Sequence, residues 1–97
     1  MVETLNYTFA AREPVAQRAH VGVVASGNCE ILLEPAEGAS ASVLVRTSVN
    51  GFAPTWAAVL DRFFARHPVA VNLQINDFGA TPAVVAMRLE QVLEHAR

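Results

Sequence analysis

The chain has 97 residues, of which 53% are hydrophobic, and a formal charge of −2 at neutral pH; that length suits one domain with a single core and is too short to enclose a deep substrate cavity. Its seven basic residues are scattered along the sequence, which excludes a protein that binds nucleic acid by neutralising a run of phosphates. One cysteine, Cys29, excludes an internal disulfide, no apolar run approaches the roughly 20 residues that cross a bilayer, and the first residues lack the basic and apolar regions of an export signal, so a soluble, cytoplasmic protein is expected, with no membrane partner.

The first half reads as β-structure. Leu5, Tyr7 and Phe9 alternate with Thr4, Asn6 and Thr8, the period-two pattern of a half-buried strand. A looser strand is expected over Ala19 to Val24. After a turn at Ser26-Gly27-Asn28, Cys29, Ile31 and Leu33 share one face of a third strand, with Glu30, Leu32 and Glu34 on the other, and Pro35 ends it because it lacks a ladder N–H. Turn-like residues 37–40 precede a fourth strand over Ser42 to Ser48.

The second half brings helices. Phe52, Trp56, Val59, Leu60, Phe63 and Phe64 recur at helical spacing, with Pro54 in the first turn and His67-Pro68 as the stop. Val69, Val71, Leu73 and Ile75 alternate with polar or small residues as a fifth strand. Thr81-Pro82 then supplies an N-cap and a first-turn proline for a last helix that buries Val85, Leu89, Val92 and Leu93. The expected fold is α+β, a mixed, mainly antiparallel sheet of about five strands with two helices packed on one face, in the order β-β-β-β-α-β-α. No linker or repeat divides residues 1–97, so one domain is expected.

With strands two, three and four as a meander, the Ser26 turn falls at the end of the sheet where strand four finishes. A right-handed crossover through the first helix makes strand five parallel to strand four, ending at that same edge. Residues 25–28, 47–51 and 76–81 are therefore expected to converge there, with two helix N-termini beside them.

Gly27-Asn28 between two apolar runs is a two-residue hairpin signal that puts Ser26 at the tip. A serine there is either an exposed, modifiable hydroxyl or a side chain that supports its own turn by a local hydrogen bond. The run Val23 to Pro35 (Val-Val-Ala-Ser-Gly-Asn-Cys-Glu-Ile-Leu-Leu-Glu-Pro) resembles the modification site of the malonate decarboxylase acyl carrier, or delta subunit, family. Thr47-Ser48-Val49-Asn50-Gly51 and Asn76-Asp77-Phe78-Gly79-Ala80-Thr81-Pro82 resemble its other characteristic loops, and Arg88-Leu89-Glu90-Gln91 its closing helix. The resemblance spans nearly the whole chain and is weakest over residues 1–20.

That resemblance implies a non-catalytic carrier with phosphoribosyl-dephospho-coenzyme A joined to Ser26 by a phosphodiester. The arm's thiol would hold acetyl and malonyl groups during malonate decarboxylation to acetate and CO2. Implied partners are the acyltransferase and decarboxylase subunits of the complex and a prosthetic-group transferase. Gly27, Asn28, Asn50, Asp77 and Thr81 are candidate contacts to the arm or to partners. A citrate lyase-type carrier, or an unmodified assembly subunit, is the alternative.

Other features carry less. Cys29 beside His20 has the makings of a nucleophile and base, although alternation puts Cys29 on the apolar face, where a small buried hydrophobe fits. His20, His67 and His95 are too far apart in sequence to form a metal site, and no metal is expected. Glu30, Glu34 and Glu37 form either an acidic strip for basic partners or a plain solvated face. Asp77 and Thr81 either cap and brace the last helix or touch an arm phosphate. Trp56, Phe63 and Phe64 read as core, with Phe52 or Phe78 available to face a partner.

Overall fold

The computed structural model describes residues 3–97. Strands β1 (Glu3–Ala10), β2 (Ala19–Gly22), β3 (Cys29–Pro35) and β4 (Ser40–Thr47) are followed by helix α1 (Ala53–Arg66), strand β5 (Val71–Asp77) and helix α2 (Pro82–Ala96). The element order and the mixed, mainly antiparallel five-stranded sheet are those read from the sequence. The order across the sheet is β1-β4-β5-β3-β2, and only β4 and β5 are parallel.

The meander is corrected: β3 and β4 are not neighbours, because β5 lies between them. The crossover through α1 brings β5 back beside β4, and β3 pairs antiparallel with its free side, Cys29 opposite Asp77 and Pro35 opposite Val71. The connection 36–39 then has to span two strand spacings, about 10 Å, which four extended residues reach easily. Because β3 opposes β5 and β5 follows β4, β3 still runs opposite to β4. The convergence expected from the meander therefore survives the loss of its premise: Thr47, Asp77 and Cys29 end up side by side.

One face of the sheet is apolar throughout. Ile31, Leu33, Val43, Val45, Leu73 and Ile75 point to it and meet Leu60, Phe63 and Phe64 of α1 and Leu89, Val92 and Leu93 of α2 in a single buried cluster. Phe9 stacks on Phe64 with ring centroids 4.5 Å apart, and Phe63 meets Phe64 edge-on at 5.0 Å. Asn6, Ser42, Asn72 and Gln74 project from the opposite, mostly polar face, alongside Leu32 and Leu44. The long connection from β1 to β2 crosses the sheet end remote from Ser26, where the backbone of Arg12 and Glu13 bonds to Pro68 and Ala70.

Strand β2 is shorter than expected. It stops at Gly22, whose φ of +83° turns the chain out of the ladder, and a Cβ built there would lie 2.1 Å from the Cys29 carbonyl oxygen. Val23 and Val24, read as the end of the strand, are 55% and 56% exposed. Phe52, read as the first residue of the apolar stripe, stands at the N-cap outside the helix and is 51% exposed.

Candidate functional site

The two-residue hairpin is also corrected. β2 and β3 are joined by residues 23–28, and within them Ala25 to Asn28 form a β-turn closed by Asn28 N–H on the Ala25 carbonyl at 3.0 Å. Gly27 has φ +75°, the positive value that the third residue of a type II turn requires, which leaves Ser26 as the second residue, exposed. A Cβ added at Gly27 would meet nothing within 4 Å. Asn28 braces the turn through its own side chain, Oδ1 accepting from Cys29 N–H at 2.8 Å. The Ser26 hydroxyl takes no part in this network and has no protein partner among the described residues.

The turn is fastened to the loop after β5. Gly27 N–H donates to the Phe78 carbonyl at 2.7 Å and Phe78 N–H to the Asn28 carbonyl at 2.9 Å. That loop is in turn organised by Asp77, 3% exposed, whose Oδ1 accepts from Ala80 N–H at 3.0 Å and whose Oδ2 accepts from the Thr47 hydroxyl at 2.8 Å and Gly79 N–H at 3.3 Å. Thr47 Oγ1 also accepts from Val49 N–H at 3.0 Å. One buried carboxylate thus ties together the ends of β4 and β5 and, through Phe78, the serine turn.

Thr81 is the N-cap of α2, its hydroxyl accepting from Val84 N–H at 3.2 Å, and Asn50 is exposed in the loop before α1. The structure brings Gly27, Asn28, Asp77 and Thr81 to one sheet end with Ser26. Asp77 and Thr81 are committed there to bracing and capping.

Arg88 is the neighbour that sequence reading did not assign to this site. From the first half of α2 its Nη2 reaches Asn28 Oδ1 at 3.4 Å and its Nη1 donates to Gln91 Oε1 at 3.0 Å. Its buried Nε has no partner among the described residues. The available signal was a lone arginine three residues after Val85, on the border of the buried stripe, where a long stem lies along apolar surface and delivers its charge to the edge.

Cys29 and His20 are on opposite faces. Cys29 is fully buried, and burial together with the Asp77 charge pushes its thiol up to about 11 against a smaller opposing effect of Arg88. It is a neutral packing residue near pH 7. His20 points to the polar face and pairs with Glu30 Oε2 at 2.9 Å, while Asn76 Nδ2 donates to Glu30 Oε1 at 2.8 Å. Those bonds, His20 first and Asn76 second, hold the Glu30 carboxyl below its ordinary value. Glu34 lies 3.9 Å from Arg18 across exposed surface. The acidic strip is thus partly matched by the chain's own groups.

Comparison with known proteins gives a consistent result. The model of the malonate decarboxylase delta subunit (MdcD) family matches residues 16–96. Malonate decarboxylase acyl carrier proteins from Azotobacter vinelandii and Burkholderia cepacia are 51% and 53% identical to this chain, over 96% and 93% of it and 95% and 86% of their own lengths. That of Pseudomonas aeruginosa PAO1 is 50% identical over 98% of this chain and 97% of its own. Among solved structures, a chain in the crystal structure of a Pseudomonas malonate decarboxylase hetero-tetramer in complex with malonate superposes with a TM-score of 0.94 at 46% identity, covering 99% of this chain and 100% of that one.

Proposed function

The chain belongs to the malonate decarboxylase delta-subunit family, and on that premise we propose that Ser26 is the point at which its prosthetic arm is attached. The protein is the acyl carrier subunit of a malonate decarboxylase, a carrier rather than a catalytic subunit, and it works with other subunits of that complex. The observation that carries the serine assignment is geometric. Ser26 offers a free, exposed hydroxyl at the apex of a turn that is held by other atoms, so modification costs the turn nothing and a bulky donor meets open space.

A phosphoribosyl-dephospho-coenzyme A arm fits these residues. A phosphodiester at Ser26 places negative charge beside the turn that Arg88 already touches through Nη2 and Asn28, so the guanidinium charge favours an anion there. When bound, the arm supplies a terminal thiol that carries acetyl and malonyl groups as thioesters.

The residues around Ser26 present and steady that arm. Gly27 keeps the approach to the hydroxyl open, Asn28 and Asp77 hold the turn rigid, and Thr81 stands at the same sheet end, while Asn50 lies in the loop after β4, toward the β1 edge. Small size and a rigid attachment point suit a tether that raises the effective concentration of acyl group at each partner in turn. Those partners are acyltransferase and decarboxylase subunits, together with the transferase that loads Ser26, in the cytoplasm.

Intact and peptide mass spectrometry on the chain co-produced with its prosthetic-group synthase and transferase tests the assignment. A single phosphoribosyl-dephospho-coenzyme A adduct on the peptide containing Ser26, absent from Ser26→Ala, is the expected result. An unmodified chain beside an active transferase would leave only an assembly role, and an adduct that persists in Ser26→Ala would move the site elsewhere.

A further inference from the structure

At the sheet end that holds the serine turn, the N-terminal halves of α1 and α2 and the loops before them line a cavity of about 330 Å³. Its walls are Val49, Phe52, Trp56, Val59, Ala80 and Val85, and its base is the Thr47–Asp77 pair. At that base the hydroxyl and carboxylate satisfy one another, so the described groove contains no hungry polar side chain and prefers an apolar occupant. Two of its rim residues, Val49 and Phe52, are large hydrophobics left exposed to solvent.

One lining residue of the groove, Gly79, borders the modification turn, and a Cβ placed on Gly79 would lie 3.8 Å from the Gly27 backbone nitrogen. The groove therefore lies on the same sheet end as Ser26, one loop away from it. At the rim, α1 begins without a side-chain cap, and the Thr55 and Thr81 hydroxyls stand close by. Such donors suit a chain of alternating amide and methylene groups.

We infer that this groove shelters the arm carried on Ser26 when its acyl group is the uncharged acetyl, and releases it when the group is malonyl. The assignment rests on the carrier reading of Ser26. The discrimination is electrostatic: an acetyl thioester is neutral and apolar, whereas the malonyl group ends in a carboxylate that would have to shed water against apolar walls and face the Asp77 carboxylate. Attachment to the same chain makes even weak binding effective, because the arm is a flexible tether that confines the acyl group to the neighbourhood of the carrier and makes its binding intramolecular. The resting acetyl form is then protected from hydrolysis, and the malonyl form is presented outward to the decarboxylating subunit.

The test uses holo-carrier whose mass confirms one adduct on Ser26, compared by NMR in its acetylated and malonylated forms. Amide and methyl resonances of Val49, Trp56, Val59, Ala80 and Val85 are expected to shift in the acetyl form and to lie near their apo positions in the malonyl form. Thr55→Phe, which fills the groove from an exposed helical position, is expected to raise the hydrolysis rate of the acetyl thioester about two- to tenfold, the range expected for an intramolecular site of weak affinity. Groove resonances that stay unmoved in a chain of confirmed holo mass, or that move equally in both acyl forms, would overturn the inference and leave the carrier reading standing. Absence of the adduct would sink both.

Discussion

At the scale of single residues, the site depends more on Asp77 than on any side chain that touches solvent. Ser26 is replaceable without structural cost, since nothing in the turn leans on its hydroxyl. Asp77 is not replaceable: it satisfies the Thr47 hydroxyl and two backbone N–H groups at a buried position. Asp77→Ala leaves the Gly79 and Ala80 N–H groups without that acceptor, while the Thr47 hydroxyl keeps the Val49 carbonyl at 3.1 Å, and is expected to lower stability by about 2–4 kcal/mol, at roughly 1–3 kcal/mol for each buried unsatisfied group with partial relaxation. Denaturant unfolding measures that loss. Because Asp77 fastens the loop that grips Gly27, slower loading of Ser26 in the folded fraction is expected as well; an unchanged loading rate would separate the brace from the site.

At the scale of elements, the two helices are joined by a cross-pair at the end remote from Ser26. Arg66 Nη2 lies against Glu90 Oε2 at 2.6 Å, and His67 Nε2 is 3.0 Å from Glu90 Oε1. Burial pushes the Glu90 carboxyl up, but the bonds and charges of Arg66 and His67 together outweigh it and hold the group below its ordinary value. A carboxyl lowered in the folded state stabilises at pH values above its unfolded pKa, near 4.3, and that contribution is lost as pH falls through the lower folded value. The pair is partly exposed, so its worth is under about 1 kcal/mol. Glu90→Gln is expected to melt slightly earlier than the native chain at pH 7, with the gap closing below about pH 4; thermal melts across that range decide it, and a gap that persists at low pH would assign the effect to packing.

At the scale of the whole molecule, the sheet and both helices share one apolar cluster, so unfolding is expected to be a single cooperative transition. Leu60, fully buried in that cluster, reports on it. Leu60→Ala is expected to cost about 2–5 kcal/mol, with Trp56 fluorescence and far-ultraviolet circular dichroism still tracing one curve. Two separated curves would mean that the helical layer unfolds apart from the sheet. The architecture also explains why a chain this small presents its function at one end. Three connections meet at the sheet edge next to Ser26, while the long β1–β2 connection closes the other edge with backbone hydrogen bonds.

Strand and helix identities, the buried faces and the serine turn were legible in the sequence because they are local. Alternation sorts Cys29 from Glu30, helical spacing sorts Leu60 from Asp61, and Thr81-Pro82 announces a helix start. Strand adjacency was not legible. β3 and β4 carry the same alternation whether they pair with each other or with β5 between them, and a four-residue connection serves either arrangement. The extent of β2 and the true shape of the serine turn depended on the close approach of Gly22 to the Cys29 carbonyl, which no neighbouring residue reveals. Arg88 came to Asn28, and Asp77 to Thr47, across gaps of 60 and 30 residues. Such encounters are set by how the helices and the inserted strand pack, and only the tertiary structure decides them.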